Sequence, residues 1–170
     1  MRPFADFPAD TLKGLNGVFT DIDDTLTTKG AITPDALQAL GDLKAAGLKV
    51  VAITGRPVGW SLPFAKSWPV DAIVAENGAV ALQGGPAIRP AHNVDLQKHY
   101  VQNEAVRRAN YTRMQAVAAR VLREVPGATL AQDSPGRETD IAIDHSEFVQ
   151  LSPESIAQVV SIMQSEGMNA

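Results

Sequence analysis

Three short apolar runs, separated by helical or turn-rich stretches, constrain this chain more than any other feature. "GVFTDI" (17–22), "LKVVAIT" (48–54) and "DAIVAENGA" (71–79) each read as a buried strand closing on polar or turn residues. Between the first two, "TPDALQALGDLKAAG" (33–47) predicts a helix. Thr33 suits the N-cap, Pro34 the first helical position and Gly47 the C-terminal cap, while Leu37, Leu40 and Leu43 recur every third residue. A shorter helix is expected from Gly59 to Ser67. Strands alternating with helices imply an α/β fold built on a parallel sheet with right-handed crossovers.

The second half changes character. "AVALQGGPAIRP" (79–90) reads as a hairpin turning at Gly84-Gly85, followed by a long helix from about Glu104 to Glu124. "ATLAQ" and "TDIAIDH" read as strands flanking the loop "DSPGRE" (133–138), and a last helix spans 153–166 before Gly167. The expected organisation is therefore a Rossmann-like unit over 1–82 and an α+β module over 83–170.

Bulk composition narrows the function. A net charge of -4 offers no electrostatic basis for binding nucleic acid or an anionic membrane. With no cysteine, disulfides and thiolate metal sites are excluded. "MRPFADFPAD" has neither the basic nor the apolar region of a signal peptide, and no apolar run approaches a membrane span. The resulting expectation is a soluble cytoplasmic protein.

The chemistry concentrates where the first run ends. Asp21, Asp23 and Asp24 lie within four positions, and carboxylates so close repel one another unless a cation sits among them. In parallel α/β sheets ligands bind at the carboxyl ends of strands, which places Asp21–Thr25, Thr54–Arg56 and Glu76–Gly78 on one rim. Such a rim fits phosphoryl transfer. One carboxylate takes the phosphoryl group, a second carboxyl two residues on moves protons, Mg²⁺ offsets charge repulsion, and a Thr hydroxyl holds a phosphate oxygen.

"DIDDTL" resembles the first motif, DxDxT, of the haloacid dehalogenase superfamily of phosphatases and phosphomutases. "VVAITGR" is similar to its second motif, and "AIVAENGAV" to the Asn-Gly segment of the Cof-like (type IIB) branch, which includes many sugar-phosphate phosphatases. That branch carries an α+β cap between its second and third motifs. The resemblance implies Asp21 as nucleophile and as a ligand of Mg²⁺, and Asp23 as general acid/base with its backbone carbonyl also on Mg²⁺. It further implies Thr54, Gly55, Arg56 and Asn77 as phosphate or substrate contacts, and Arg137 as a substrate-reading residue of the cap. Asp24 is given a turn-shaping role and no catalytic step.

The likeness stops short of the family's third and fourth motifs. After Thr54 the chain has only Lys66 and Lys98, both too early for the third-motif Lys, and "RETDIAID" (137–144) lacks the Gly-Asp pattern of the fourth. The chain thus reads as the first part of a longer protein, with an incomplete parallel core. The expected activity is Mg²⁺-dependent hydrolysis of a small phosphorylated metabolite, in particular a sugar phosphate, through an aspartyl-phosphate. A phosphomutase and a phosphate-binding module lacking the chemistry stay open as alternatives. His92, His99 and His145 lack metal-ligand spacing, "RRANYTR" (107–113) reads as a solvated helix face, and Trp60 and Trp68 as core or domain-contact residues.

Overall fold

The computed structural model describes residues 6–8, 10, 13–84 and 96–170. Compact packing divides the chain into two units, Met1–Gly55 with Ser61–His99, and Arg56–Trp60 with Tyr100–Ala170. The first unit runs to His99.

The three apolar runs become the strands β1 (Gly17–Asp21), β4 (Lys49–Ile53) and β5 (Ala72–Ala75), paired in parallel with β4 between the other two. Two further short strands, β2 (Thr27–Thr28) and β3 (Ala31–Ile32), form a separate hairpin. Its two-residue turn, Lys29-Gly30, has φ of 53° and 78°, the left-handed pair that matches the twist of hairpin strands. Helix α1 (Pro34–Ala45) starts as its sequence dictates, with the Thr33 hydroxyl accepting from the Ala36 amide. Gly47 follows the helix at φ 83°. Of the leucine stripe, Leu40 is buried, whereas Leu37 is 39% exposed.

Strand β6 (Val80–Gln83) folds back antiparallel on β5, with Ala75 opposite Val80, around the turn Glu76–Ala79. The second arm of the hairpin expected about Gly84-Gly85, and His92, fall within residues 85–95, outside the described residues. Strand β7 (Gln97–Tyr100) completes the order β1-β4-β5-β6-β7. Helix α2 (Val58–Ser67) carries Pro63 in its interior, which removes one backbone donor, and the chain then buries Trp68 beside Phe64.

Period-two alternation sorts the sheet's faces. Val50, Ala52, Ile73, Ala75, Val80 and Leu82 are fully buried on one side. On the other, Phe19 is 73% and Ile53 38% exposed. Parallel sheets are ordinarily covered on both faces. Among the described residues this second face stays largely open.

The second unit packs α3 (Glu104–Glu124) against α4 (Pro153–Ser165) through Val117, Val121, Val125, Ala128, Val159 and Ile162. Asn103 and Ser152 cap these helices by accepting from the Val106 and Ser155 amides. The strands β8 (Thr129–Leu130) and β9 (Ile143–Asp144) pair antiparallel, as expected of the stretches flanking 133–138. Gly59 and Gly136 bring two backbones together, since a Cβ on Gly59 would lie 2.9 Å from the Gly136 Cα. No helix among the described residues is long and apolar enough to cross a membrane.

Asp71 joins three elements of the first unit. Its Oδ2 accepts from Lys44 Nζ of α1 at 2.6 Å and from the Val50 amide of β4 at 2.7 Å, and its own amide donates to the Val50 carbonyl. Burial works to raise its pKa, but the hydrogen bonds from Lys44 and Val50 and the charges of Lys44 and Lys49 outweigh it and hold the carboxyl below its ordinary value. A depressed carboxylate stabilises the fold above its unfolded pKa of about 3.9, and that contribution is lost as pH falls through the folded value. Asp71→Asn should cost about 1–2 kcal/mol at pH 7. Urea titrations at pH 7 and pH 3 check this, with the gap between variant and parent expected to shrink at the lower pH.

Candidate active site

Parallel pairing sets the site. Asp21 closes β1 opposite Ile53, and Ile53 lies opposite Val74, so the three strands end together. The residues that follow each strand, Ile22–Thr25, Thr54–Gly55 and Glu76–Asn77, emerge at that common carboxyl end.

The first turn is tight because one carbonyl organises it. The amides of Thr25, Leu26 and Thr27 all donate to the Ile22 carbonyl, at 3.3, 3.0 and 3.0 Å, and the Thr27 hydroxyl adds a fourth bond at 3.1 Å. Ile22 itself is fully buried, which fixes the turn to the core. Asp24 has φ 55°, a left-handed conformation that Asp tolerates better than most residues, in agreement with a turn-shaping role. Asp21 is exposed and Asp23 half-buried. The Thr25 hydroxyl donates to Asp21 Oδ2 at 3.2 Å. Thr25 was not singled out as a site residue by the sequence, although the motif DIDDT contains it.

Thr54 connects the second strand to this turn. Its amide donates to the Val74 carbonyl at 2.9 Å, its side chain is buried, and its hydroxyl donates to Asp23 Oδ2 at 3.5 Å. Next to it, Gly55 leaves room for a neighbour: a Cβ there would lie 2.9 Å from Asn77 Oδ1. The Asn77 amide in turn donates to the Thr54 carbonyl at 3.4 Å. Asp21, Asp23, Thr54, Gly55 and Asn77 are thus brought together within the first unit.

The turn after β5 is strained. Glu76, Asn77 and Gly78 have φ of 49°, 55° and 100°, three left-handed residues in succession. For Glu76 this costs of the order of 1–2 kcal/mol, whereas asparagine tolerates the conformation. Glu76 is also 2% exposed, the most deeply buried acid among the described residues. The sequence motif places Glu76 on the rim with Asn77 but carries no separate signal for it.

The other two expected site residues group in the second unit around Asp133. Arg137, with a side chain only 9% exposed, donates from Nη2 to Asp133 Oδ1 at 3.2 Å and from Nη1 to Asp140 Oδ1 at 2.8 Å. Burial lowers its pKa, but Asp140 and then Asp133 more than offset that and leave the guanidinium more firmly protonated than usual. Arg56 is held more loosely, 3.5 Å from Asp133 and 3.6 Å from Glu147, with Trp60 5.7 Å beneath its guanidinium. Reading a substrate with Arg137 would require its carboxylate pairs to open.

Asp21 and its neighbour Thr25 offer oxygen atoms, which suit a hard cation. No group of three or more His, Asp or Glu side chains able to hold a metal exists among the described residues. Mg²⁺ needs no such group, because one or two carboxylates hold it with water and substrate phosphate supplying the rest.

A family model described as haloacid dehalogenase-like hydrolase matches residues 18–115, more than half of the chain. A search of curated proteins by sequence found no match. Among solved structures, a Thermoplasma acidophilum protein shares the fold at a TM-score of 0.66 and 15% identity, over 90% of this chain and 58% of its own. A phosphatase of the haloalkanoate enzyme superfamily from Bacteroides thetaiotaomicron aligns at 20% identity and a TM-score of 0.44, over 88% and 47%. A subclass IIB sugar phosphatase of the same superfamily aligns at 20% and 0.42, over 89% and 49%. The chain spans about half to three-fifths of the length of these structures.

One further polar cluster of the second unit is testable by itself. Tyr100 donates to Glu138 Oε2, and the Arg107 guanidinium stacks 3.5 Å from the Tyr100 ring centroid. Burial first, then the Glu138 hydrogen bond and charge, push the phenol up to about 12 despite Arg107. Its raised pKa stabilises the fold below the ordinary tyrosine value of about 10, and the effect is lost as pH rises through the folded value. Ultraviolet titration should show one phenol ionising late, and Glu138→Gln should bring it back toward 10.

Proposed function

Because this chain belongs to the haloacid dehalogenase-like hydrolases, we propose that it is the nucleophile-bearing part of a Mg²⁺-dependent phosphatase acting on a small phosphorylated metabolite, in particular a sugar phosphate. The observation that carries the reading is the convergence of Asp21, Asp23 and Thr54 at the carboxyl ends of adjacent parallel strands. In this reading Met1 to about residue 82 supplies the catalytic core and the remainder a cap.

Asp21 is the nucleophile. The Thr25 hydroxyl on Oδ2 orients its carboxylate, leaving Oδ1 to attack phosphorus. The P–O bond to the leaving group breaks as the aspartyl-phosphate forms, and Asp23 gives its proton to the departing oxygen. Asp23 then takes a proton from water, the resulting hydroxide attacks phosphorus, and inorganic phosphate leaves while Asp21 is regenerated as carboxylate. Thr54 holds Asp23 through its hydroxyl and is placed to receive a phosphoryl oxygen. Gly55 and Asn77 supply the neighbouring wall, and Arg56, two residues beyond Thr54, supplies positive charge for the substrate. Arg137 contributes by fixing Asp133 beside Arg56, and reads substrate only when that pair opens. Asp21 through its carboxylate and Asp23 through its backbone carbonyl would hold Mg²⁺, which when bound neutralises charge on the transferring phosphoryl group.

Release of phosphate from an aryl phosphate in the presence of Mg²⁺ tests the proposal. Asp21→Asn should lower turnover at least about a thousandfold while changing stability by no more than about 0.5 kcal/mol. EDTA should abolish turnover and added Mg²⁺ restore it. Turnover that survives Asp21→Asn overturns the assignment. Isomerised product without inorganic phosphate identifies a phosphomutase, and phosphate binding without turnover identifies a binding module.

A further inference from the structure

Glu76 combines two costs that a connection between β5 and β6 does not require. Its side chain is 2% exposed, although a carboxylate is costly to bury. Its backbone is left-handed at φ 49°, where glycine, asparagine and aspartate are the usual occupants. The preceding residue, Ala75, is still extended at φ -105° and ψ 169°, so the chain reverses its hand in one step. A turn serving only to reverse the chain would carry glycine or asparagine at this position, with no carboxylate to bury.

What the strained turn achieves is the placement of Asn77. The Asn77 amide donates to the Thr54 carbonyl, and the Ala79 amide closes the turn on the Glu76 carbonyl at 3.1 Å. The Asn77 side chain is exposed at the rim and lies directly against Gly55, close enough that a Cβ there would meet its Oδ1. Backbone strain at a strand end beside candidate catalytic groups is a recognised mark of pre-organisation.

We propose that Glu76 is a positioning residue of the phosphoryl site: its buried side chain anchors the left-handed turn that holds the Asn77 carboxamide against Gly55, beside Thr54. The proposal rests on the phosphatase reading for its purpose, but the anchoring itself does not. Asn77 touches the phosphoryl oxygens, and Glu76 acts only through Asn77. The pair therefore behaves as one unit.

Orthovanadate binding in Mg²⁺ by calorimetry, together with hydrogen exchange of the Asn77 amide by NMR, tests this on the whole chain. Glu76→Gln and Asn77→Ala should each weaken vanadate binding by about tenfold, and the double variant should be no weaker than either. Asn77 amide exchange should accelerate in Glu76→Gln while amides of β4 keep their parental rates. Parental vanadate affinity in Glu76→Gln, or losses that multiply in the double variant, overturn the proposal. If the parent binds no vanadate, the phosphatase reading fails, and Asn77 exchange alone decides the anchoring: faster supports it, unchanged refutes it. Should Glu76→Gln not fold, Gly55→Ala displaces the Asn77 carboxamide from the opposite side. It should give the same loss of vanadate affinity, and unaltered affinity overturns the proposal.

Discussion

Everything assigned to the candidate site depends on the parallel register of β1, β4 and β5. With Asp21 opposite Ile53 and Ile53 opposite Val74, three strands that are distant in sequence end at one level. A one-residue slip would invert the faces of a strand, sending Val50 and Ala52 to the open side and Val51 and Ile53 into the core. Burial of the alternate apolar residues thus secures the register, and the register delivers the carboxylates to Thr54. Asp71 reinforces it at the other end of the strands by tying β5 to β4 and to α1.

The two units handle charge differently. In the first, Asp21 and Asp23 each accept from a hydroxyl, of Thr25 and Thr54, while the amides of Thr25, Leu26 and Thr27 go to the Ile22 carbonyl. In the second, the carboxylates of Asp133 and Asp140 are taken up by guanidinium groups, and that of Asp144 by the amides of Ser146, Glu147 and Phe148. Paired and hydrogen-bonded acids of this kind order loops, and here they order the stretch between β8 and β9 and the turn that follows it.

Local signals were legible where they are backbone signals. Thr33, Pro34 and Gly47 bound α1 because capping and φ preferences act over a few residues. The long helix spans Glu104–Glu124 as expected, closed by Val125 and the Pro126-Gly127 stretch. What the local signals do not announce is that β6 returns antiparallel on β5, which sets Val80 and Leu82 beside Ala75 and Ile73 in the core. The hairpin of β2 and β3 escaped notice because each strand has only two residues, too few for any period. Leu37 belongs to the stripe by spacing, but no described element buries it as Leu40 is buried.

The sequence by itself determined the strand–helix alternation, the positions of the carboxylates after the first strand and the hydroxyl after the second, and the family resemblance they carry. These follow from hydrophobic period and residue chemistry, which are read along the chain. Only the tertiary structure decided that Asn77 lies against Gly55, that Arg137 is engaged by Asp133 and Asp140, and that Glu76 is buried in a left-handed turn. Each of these is a relation between segments or a cost borne locally for packing elsewhere. Propensity gives no warning of either, because it registers a residue's own preferences and not what its neighbours in space require.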